Sequence, residues 1–303
     1  SILTKEANDK CKSELKKLKN MSAMSAEATV IRNYLDWILS LPWNDSTKIS
    51  KDINYIEADV RNYPSIEKII SETRPDFLFH LAAQAIVSES KKNPLLTIET
   101  NVVGTANVLN ALRNLKNKCA AVIITSDKSY ENVEWLWGYR ENDNLGGKDI
   151  YSASKASAEI IFNSFVKTFF LENDNIKLAT ARAGNVIGGG DWSKDRIVVD
   201  CVTKWSKNEK LLIRSPSSTR PWQHVLEPLS GYLNIASKLY DNPSLNGESF
   251  NFGPKPEKSV QVIELINLLS NSWKKSGRFS EFEVLENSIY NESELLRLNC
   301  DKA

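Results

Sequence analysis

Ala121-Val122-Ile123-Ile124-Thr125-Ser126-Asp127-Lys128, followed beyond a loop by Tyr151-Ser152-Ala153-Ser154-Lys155, decides the fold of this chain. The first segment is an unbroken apolar run that ends in polar side chains. Such a run suits a strand covered on both faces and carrying its chemistry at the carboxyl end. The second segment opens a predicted helix over 151–171, and the spacing of four puts Tyr151 and Lys155 on one helix face. An ammonium group there is expected to lower the phenol's pKa and make Tyr151 a usable base. A Tyr-x-x-x-Lys pair alone is common by chance and ordinarily marks two surface residues. The polar strand end upstream removes that reading.

Outward from this pair, the chain alternates strands and helices from residue 53 onward. Strands are predicted over 54–58, 77–82, 121–125 and 178–182, and helices over 65–73, 96–113 and 151–171. That alternation predicts an α/β fold, a Rossmann-like doubly wound parallel sheet. From about residue 191 a smaller substrate lobe is expected, with a helix over 260–272. The domains read as 1–52 helical, 53–190 a partial dinucleotide-binding domain with the candidate catalytic residues, and 191–303 the substrate lobe.

The N-terminal segment has a different character. Residues 6–20 read as a basic helix with a thin apolar stripe, for which a solvated face competes with a nucleic-acid contact. A second helix is predicted from Ser25 to about Leu41, where Pro42 stops it. Tyr34, Trp37, Ile38 and Leu41 lie at helical spacing and call for a partner surface.

The composition bounds the rest. With 303 residues, 41% hydrophobic and 25% charged, the chain can bury a substantial core. A formal charge of +1 offers no global field for nucleic acid or membrane, so neither is expected as a partner. Cys11, Cys119, Cys201 and Cys300 lie far apart without metal-ligand spacing, so reduced thiols and no metal site are expected. No run approaches a membrane span and no signal-peptide core opens the chain, so a cytoplasmic protein is expected.

Three further segments carry a family resemblance. They are the Asp127-Lys128 pair, Glu131-Asn132-Val133-Glu134-Trp135-Leu136-Trp137-Gly138-Tyr139-Arg140-Glu141-Asn142, and Arg182-Ala183-Gly184-Asn185-Val186-Ile187-Gly188-Gly189-Gly190-Asp191-Trp192 leading to Thr219-Arg220-Pro221-Trp222-Gln223-His224-Val225. Residues 53–303 are thereby similar to the extended short-chain dehydrogenase/reductase superfamily and, within it, to the CDP-glucose 4,6-dehydratase family. Related dTDP-glucose dehydratases carry Asp-Glu where this chain has Asp127-Lys128. Residues 1–50, with Met21-Ser22-Ala23-Met24-Ser25-Ala26-Glu27 and Leu41-Pro42-Trp43-Asn44, are similar to the helical region preceding the ATPase module of Lon proteases. No G-x-x-x-x-G-K-[ST] phosphate loop follows them. The chain therefore reads as a chimera joined near residues 51–54, and as truncated at both ends relative to the dehydratases.

What the resemblance implies is specific. NAD is the cofactor and CDP-glucose the substrate, converted to CDP-4-keto-6-deoxyglucose for deoxysugar and lipopolysaccharide O-antigen synthesis, and a homo-oligomer is an open expectation. Tyr151, with Lys155, takes the proton of the sugar 4-hydroxyl, Ser126 hydrogen-bonds the 4-oxygen, Asp127 protonates the leaving 6-hydroxyl and Lys128 acts at C5. Asp59 and Val60 match the adenine end of the cofactor site. Ala82, Ala83 and Gln84 match the strand end beside the diphosphate, and Asn101 matches the asparagine that props the lysine. Asn185 borders the sugar nucleotide, and Arg220 and Arg196 are candidates for its diphosphate, a task suited to forked donors. Val199 departs from the proline of the family pattern. His80 reads as a packed strand residue, His224 as structural, and the glycine triplet 188–190 as a tight turn.

One part of the pattern is missing. No glycine precedes Gly104, so the glycine-rich dinucleotide turn does not occur where the family has it. The expected sheet accordingly lacks its first two strands. The competing reading is a non-catalytic, fused and truncated remnant that binds no cofactor.

Overall fold

The computed structural model describes residues 5–21, 26–40, 53–255, 260–275, 277–285 and 295–303. The chain divides into two compact units, Ser1–Glu57 and Ala58–Ala303. In the first, α1 (Lys5–Lys19) packs on α2 (Ala26–Ser40). Glu14 is buried on α1 and accepts from Lys17 at 2.8 Å. Helix α2 buries Ala28, Ile31 and Leu35, with Ile38 half-buried one turn further on. The expected stripe is therefore rotated: Tyr34 faces outward, and α1 supplies the partner surface. Leu41 and the side chain of Trp37 lie outside the described residues.

The predicted strand over 54–58 does not form. These residues are irregular and open to solvent, Tyr55 being 85% exposed. Strand dihedrals leave main-chain groups unsatisfied without a neighbour, and no described strand pairs with this segment. Regular structure resumes at α3 (Tyr63–Thr73), where the Asn62 side chain accepts from Ser65 N at 3.2 Å and Pro64 occupies the first turn.

The second unit is built on a parallel sheet of four strands, β1 (Phe77–His80), β2 (Cys119–Ile124), β3 (Ile176–Ala183) and β8 (Ser249–Phe252), in the order β1-β2-β3-β8. Alternate β2 residues face opposite layers. Cys119, Ala121 and Ile123 pack with Leu109, Leu112 and Phe162 of α6 (Gly104–Arg113) and α7 (Ile150–Phe165). Ala120 and Val122 pack with Tyr232, Ile235 and Leu239 of α9 (Leu226–Asp241) on the other face. Helices on both faces of a parallel sheet make the fold doubly wound, as predicted. Leu112 is wholly buried, so its truncation to Ala should cost roughly 2–5 kcal/mol.

Before β2, α4 (Val87–Lys92), α5 (Pro94–Ile98) and a π-helical turn, Glu99–Val103, lead into α6. The helix expected over 96–113 is thus interrupted. Two short pairs follow β3: β4 (Val186–Ile187) with β7 (Gln223–His224), and β6 (Thr219–Arg220) with β9 (Val260–Gln261). A separate core joins α8 (Ile197–Ser206), β5 (Leu211–Ile213), α10 (Val262–Lys274) and β10 (Phe282–Val284) through Cys201, Trp205, Ile213 and Ile266. No helix among the described residues is long and apolar enough to cross a membrane.

Candidate active site

The carboxyl end of β2 runs into a tight 3-10 turn, Asp127–Ser129. Ser126 caps it: its Oγ accepts from Lys128 N at 3.2 Å and donates to Asp127 Oδ1 at 3.0 Å. Opposite, Asp149 caps α7 by accepting from Ser152 N at 3.0 Å and Ser152 Oγ at 2.7 Å. The cap fixes Tyr151 in the first turn and sets Lys155 one turn behind it. A cavity of about 980 Å³ is lined by Ser126, Asp127, Lys128, Tyr151, Asn185, Arg196 and Arg220. The turn at 188–190 is real, and Gly190 holds φ +86, a conformation that favours glycine.

Burial governs the electrostatics. Asp127 is only 4% exposed, its Oδ2 has no hydrogen-bond partner among the described residues, and desolvation holds its pKa above the ordinary carboxylate range. Lys128 and Arg220 pull the other way with smaller effect. Burial pushes the Tyr151 phenol up to about 12, opposed by the Ser126 hydroxyl and the Arg196 charge. This corrects the expectation of a lowered phenol, because desolvation of the anion outweighs nearby cations. Lys155 itself is pushed down to about 8 by burial, against the attraction of Glu159.

Behind these groups lies a set of buried supports. Asn101, in the π-helical turn, accepts from Gln84 N at 2.8 Å and donates to Gln84 O at 3.0 Å and Ser154 Oγ at 2.9 Å. Ser154 Oγ donates in turn to Tyr151 O at 2.7 Å. Asn101 therefore clamps the segment after β1 to the helix that carries Tyr151, and both its amide protons are spent there. Thr105 Oγ1 donates to Asn101 O at 2.7 Å, so the 3.1 Å contact with His80 Nε2 requires the imidazole to donate. Burial, then the Lys155 charge, lowers the His80 pKa to about 4.

Sequence reasoning missed Glu159 and Thr125. Glu159 is fully buried and held by Arg182 in a two-point pair, Nε to Oε1 at 2.9 Å and Nη2 to Oε2 at 3.0 Å. Thr125 Oγ1 also donates to Glu159 Oε1, tying the residue before Ser126 to the helix that carries Lys155. An acid at i+4 from Lys155 on an apolar helix was the available signal.

Of the other expected site residues, Arg196 and Arg220 line the cavity, whereas Asp59, Val60, Ala82, Ala83 and Gln84 are not among its lining residues. Arg220 is buried and donates to Thr219 O at 2.9 Å, while Arg196 lies 3.8 Å from Asp191. Asp59 is exposed and held by Arg61 at 2.6 Å, whose contact takes its pKa down to about 2. Val60 packs against Gly104, where a Cβ would come within 2.7 Å of it. Ala82 is exposed, and Ala83 and Gln84 are half-buried. His224 Nδ1 accepts from Leu226 N at 3.2 Å, a capping contact at the start of α9. No described group of three or more His, Cys, Asp or Glu side chains is arranged to hold a metal.

Comparison with known proteins gives four findings. Residues 19–293 match the family described as GDP-mannose 4,6 dehydratase. CDP-glucose 4,6-dehydratase of Salmonella typhimurium is 42% identical over 250 residues, 81% of this chain and 68% of that protein. Lon protease of Brucella abortus is 42% identical over 98 residues, 32% of this chain but 11% of Lon. A match of 98 residues is longer than the expected 1–52 segment and necessarily shares residues with the dehydratase match. The fold is that of the Thermus thermophilus UDP-glucose 4-epimerase solved with NAD, with TM-score 0.68 and 21% identity over 83% of this chain and 78% of that one.

Proposed function

The chain belongs to the GDP-mannose 4,6 dehydratase family, and from that premise we propose that Ala58–Ala303 removes water from a nucleoside-diphosphate sugar, with CDP-glucose the substrate. The observation that carries the reading is Asp127. A buried carboxyl group whose pKa is raised by desolvation, with one oxygen unpartnered among the described residues, faces the same cavity as Tyr151 and Lys128. Elimination of water needs such a donor, because hydroxide leaves poorly unless it is protonated.

The proton work divides among the chain's own residues. Ser126 holds the sugar 4-oxygen while Tyr151 takes the 4-hydroxyl proton, and the Arg196 charge offsets part of the cost of ionising the phenol. The 4-ketone acidifies the proton at C5, which Lys128 removes as Asp127 delivers its proton to the 6-hydroxyl and water departs. NAD, the ligand of the Thermus epimerase, would when bound accept a hydride from C4 and return it to C6. The net change is loss of one water, with the cofactor regenerated.

The residues present fit that cofactor at one end. Tyr151, Lys155, Ser126 and the Asn101 clamp form a buried polar cluster suited to the nicotinamide and its ribose. At the other end no glycine precedes Gly104, residues 53–58 are irregular, and the Asp59 carboxylate is engaged by Arg61. Diphosphate binding ordinarily uses the main-chain amides of a glycine turn at a helix N-terminus. That mismatch supports a low rate, and it favours a second reading in which the chain binds no dinucleotide and is not catalytic. Titration with NAD, followed by fluorescence or thermal shift, separates the two. Saturable binding supports the dehydratase, and no binding supports the second reading.

A further inference from the structure

We propose that Asp200 reads the base of the bound nucleotide and selects cytosine over uracil or thymine. The inference rests on the reading of the cavity as a nucleoside-diphosphate-sugar site and adds the residue that chooses the nucleotide. Asp200 sits in the first turn of α8 and lines the cavity that also holds Tyr151 and Asp127. Asp200 stands one turn of α8 beyond Arg196, with Asp200 N donating to Arg196 O at 2.8 Å, and both residues line the cavity. A ligand with its sugar at Tyr151 and its diphosphate along the arginines brings its base toward Asp200.

The neighbouring carboxylates are already committed. Asp195 accepts from Ser88 Oγ at 2.6 Å and from Arg214 Nη2 at 3.1 Å, and Asp191 pairs with Arg196. Asp200 is half-buried and accepts no hydrogen bond among the described residues. Arg214 and Lys204 offset part of the cost of burying this carboxylate, but its hydrogen-bond capacity stays open to a donor on a ligand. Cytosine supplies it, because its edge carries the N4 amino donor where uracil and thymine carry the O4 acceptor. Placed at the 4-position, the carboxylate therefore attracts the cytosine amino group and repels the O4 of uracil and thymine, and repulsion of the wrong ligand is half of specificity. The competing explanation is that Asp200 only complements the N-terminal dipole of α8. In that case its charge would affect stability and not the choice of base.

Calorimetric titration of the full chain with CDP-glucose and UDP-glucose, repeated on Asp200→Asn, tests the proposal. The wild-type chain should prefer CDP-glucose by on the order of tenfold or more, as expected for one base-edge contact. In Asp200→Asn the amide can turn either its oxygen or its nitrogen to the base, so the preference should collapse toward equality. Retention of the wild-type ratio by Asp200→Asn overturns the proposal. Equal binding of both sugars by the wild-type chain overturns it too, while leaving a nucleoside-diphosphate-sugar site standing. Binding of neither removes the site reading and the proposal together.

Discussion

Asp127 and Tyr151 share a cavity, and in the proposed reaction they act on different bonds, so their variants should fail at different steps. Tyr151→Phe removes the group proposed to take the 4-hydroxyl proton, and oxidation at C4 should then fall by roughly 10²–10⁴-fold. Asp127→Asn should leave that step in place and stall the loss of water, which single-turnover experiments in deuterated solvent resolve. If both variants stop at one step, the division of labour is wrong. His80 gives a separate test through stability. An unfolded histidine takes up a proton near pH 6.5, whereas the buried imidazole does so at about 4. Between those values the unfolded chain binds more protons, so stability falls as pH drops through this window, by up to roughly 3 kcal/mol. His80→Gln keeps a donor for Thr105 and lacks the titration, so urea unfolding should show a flatter acid limb. An unchanged limb would mean that other groups dominate.

At the scale of elements, the Glu159–Arg182 pair joins α7 to β3, with Thr125 attached at the end of β2. Removing one member of a buried pair strands the other charge and typically costs about 3–5 kcal/mol. Glu159→Gln should therefore destabilise strongly in denaturant titrations, and Glu159→Gln with Arg182→Met should cost less than the single change. A double variant worse than the single would show that the pair itself holds these elements together. How far the sequence discloses this depends on range. The meeting of Asp127 and Tyr151 at one cavity is legible because both lie in local motifs beside strong periodic signals. Glu159 with Arg182, and His80 with Thr105, are not, since each pair is made only when distant segments meet. The 54–58 segment looks like a strand for the converse reason: its local pattern is right, but no described strand pairs with it. On α2 two stripes compete, and packing against α1 selects Ala28-Ile31-Leu35 over the one through Tyr34.

For the whole molecule, the structure gathers Ser126, Asp127 and Tyr151 around one cavity, while no glycine precedes Gly104 and residues 53–58 are irregular. The strand before that site, β1, lies at the sheet edge, and Phe77 at its start is exposed. Such an edge invites association between chains, and light scattering at rising concentration should show it. The most direct measurement uses the protein in excess over CDP-glucose with NAD present, in deuterated water, with the sugar followed by mass spectrometry. The account predicts slow conversion to a product lighter by one water and carrying solvent deuterium at C5. Recovery of CDP-glucose unchanged, under conditions where the protein demonstrably binds it, would contradict the account.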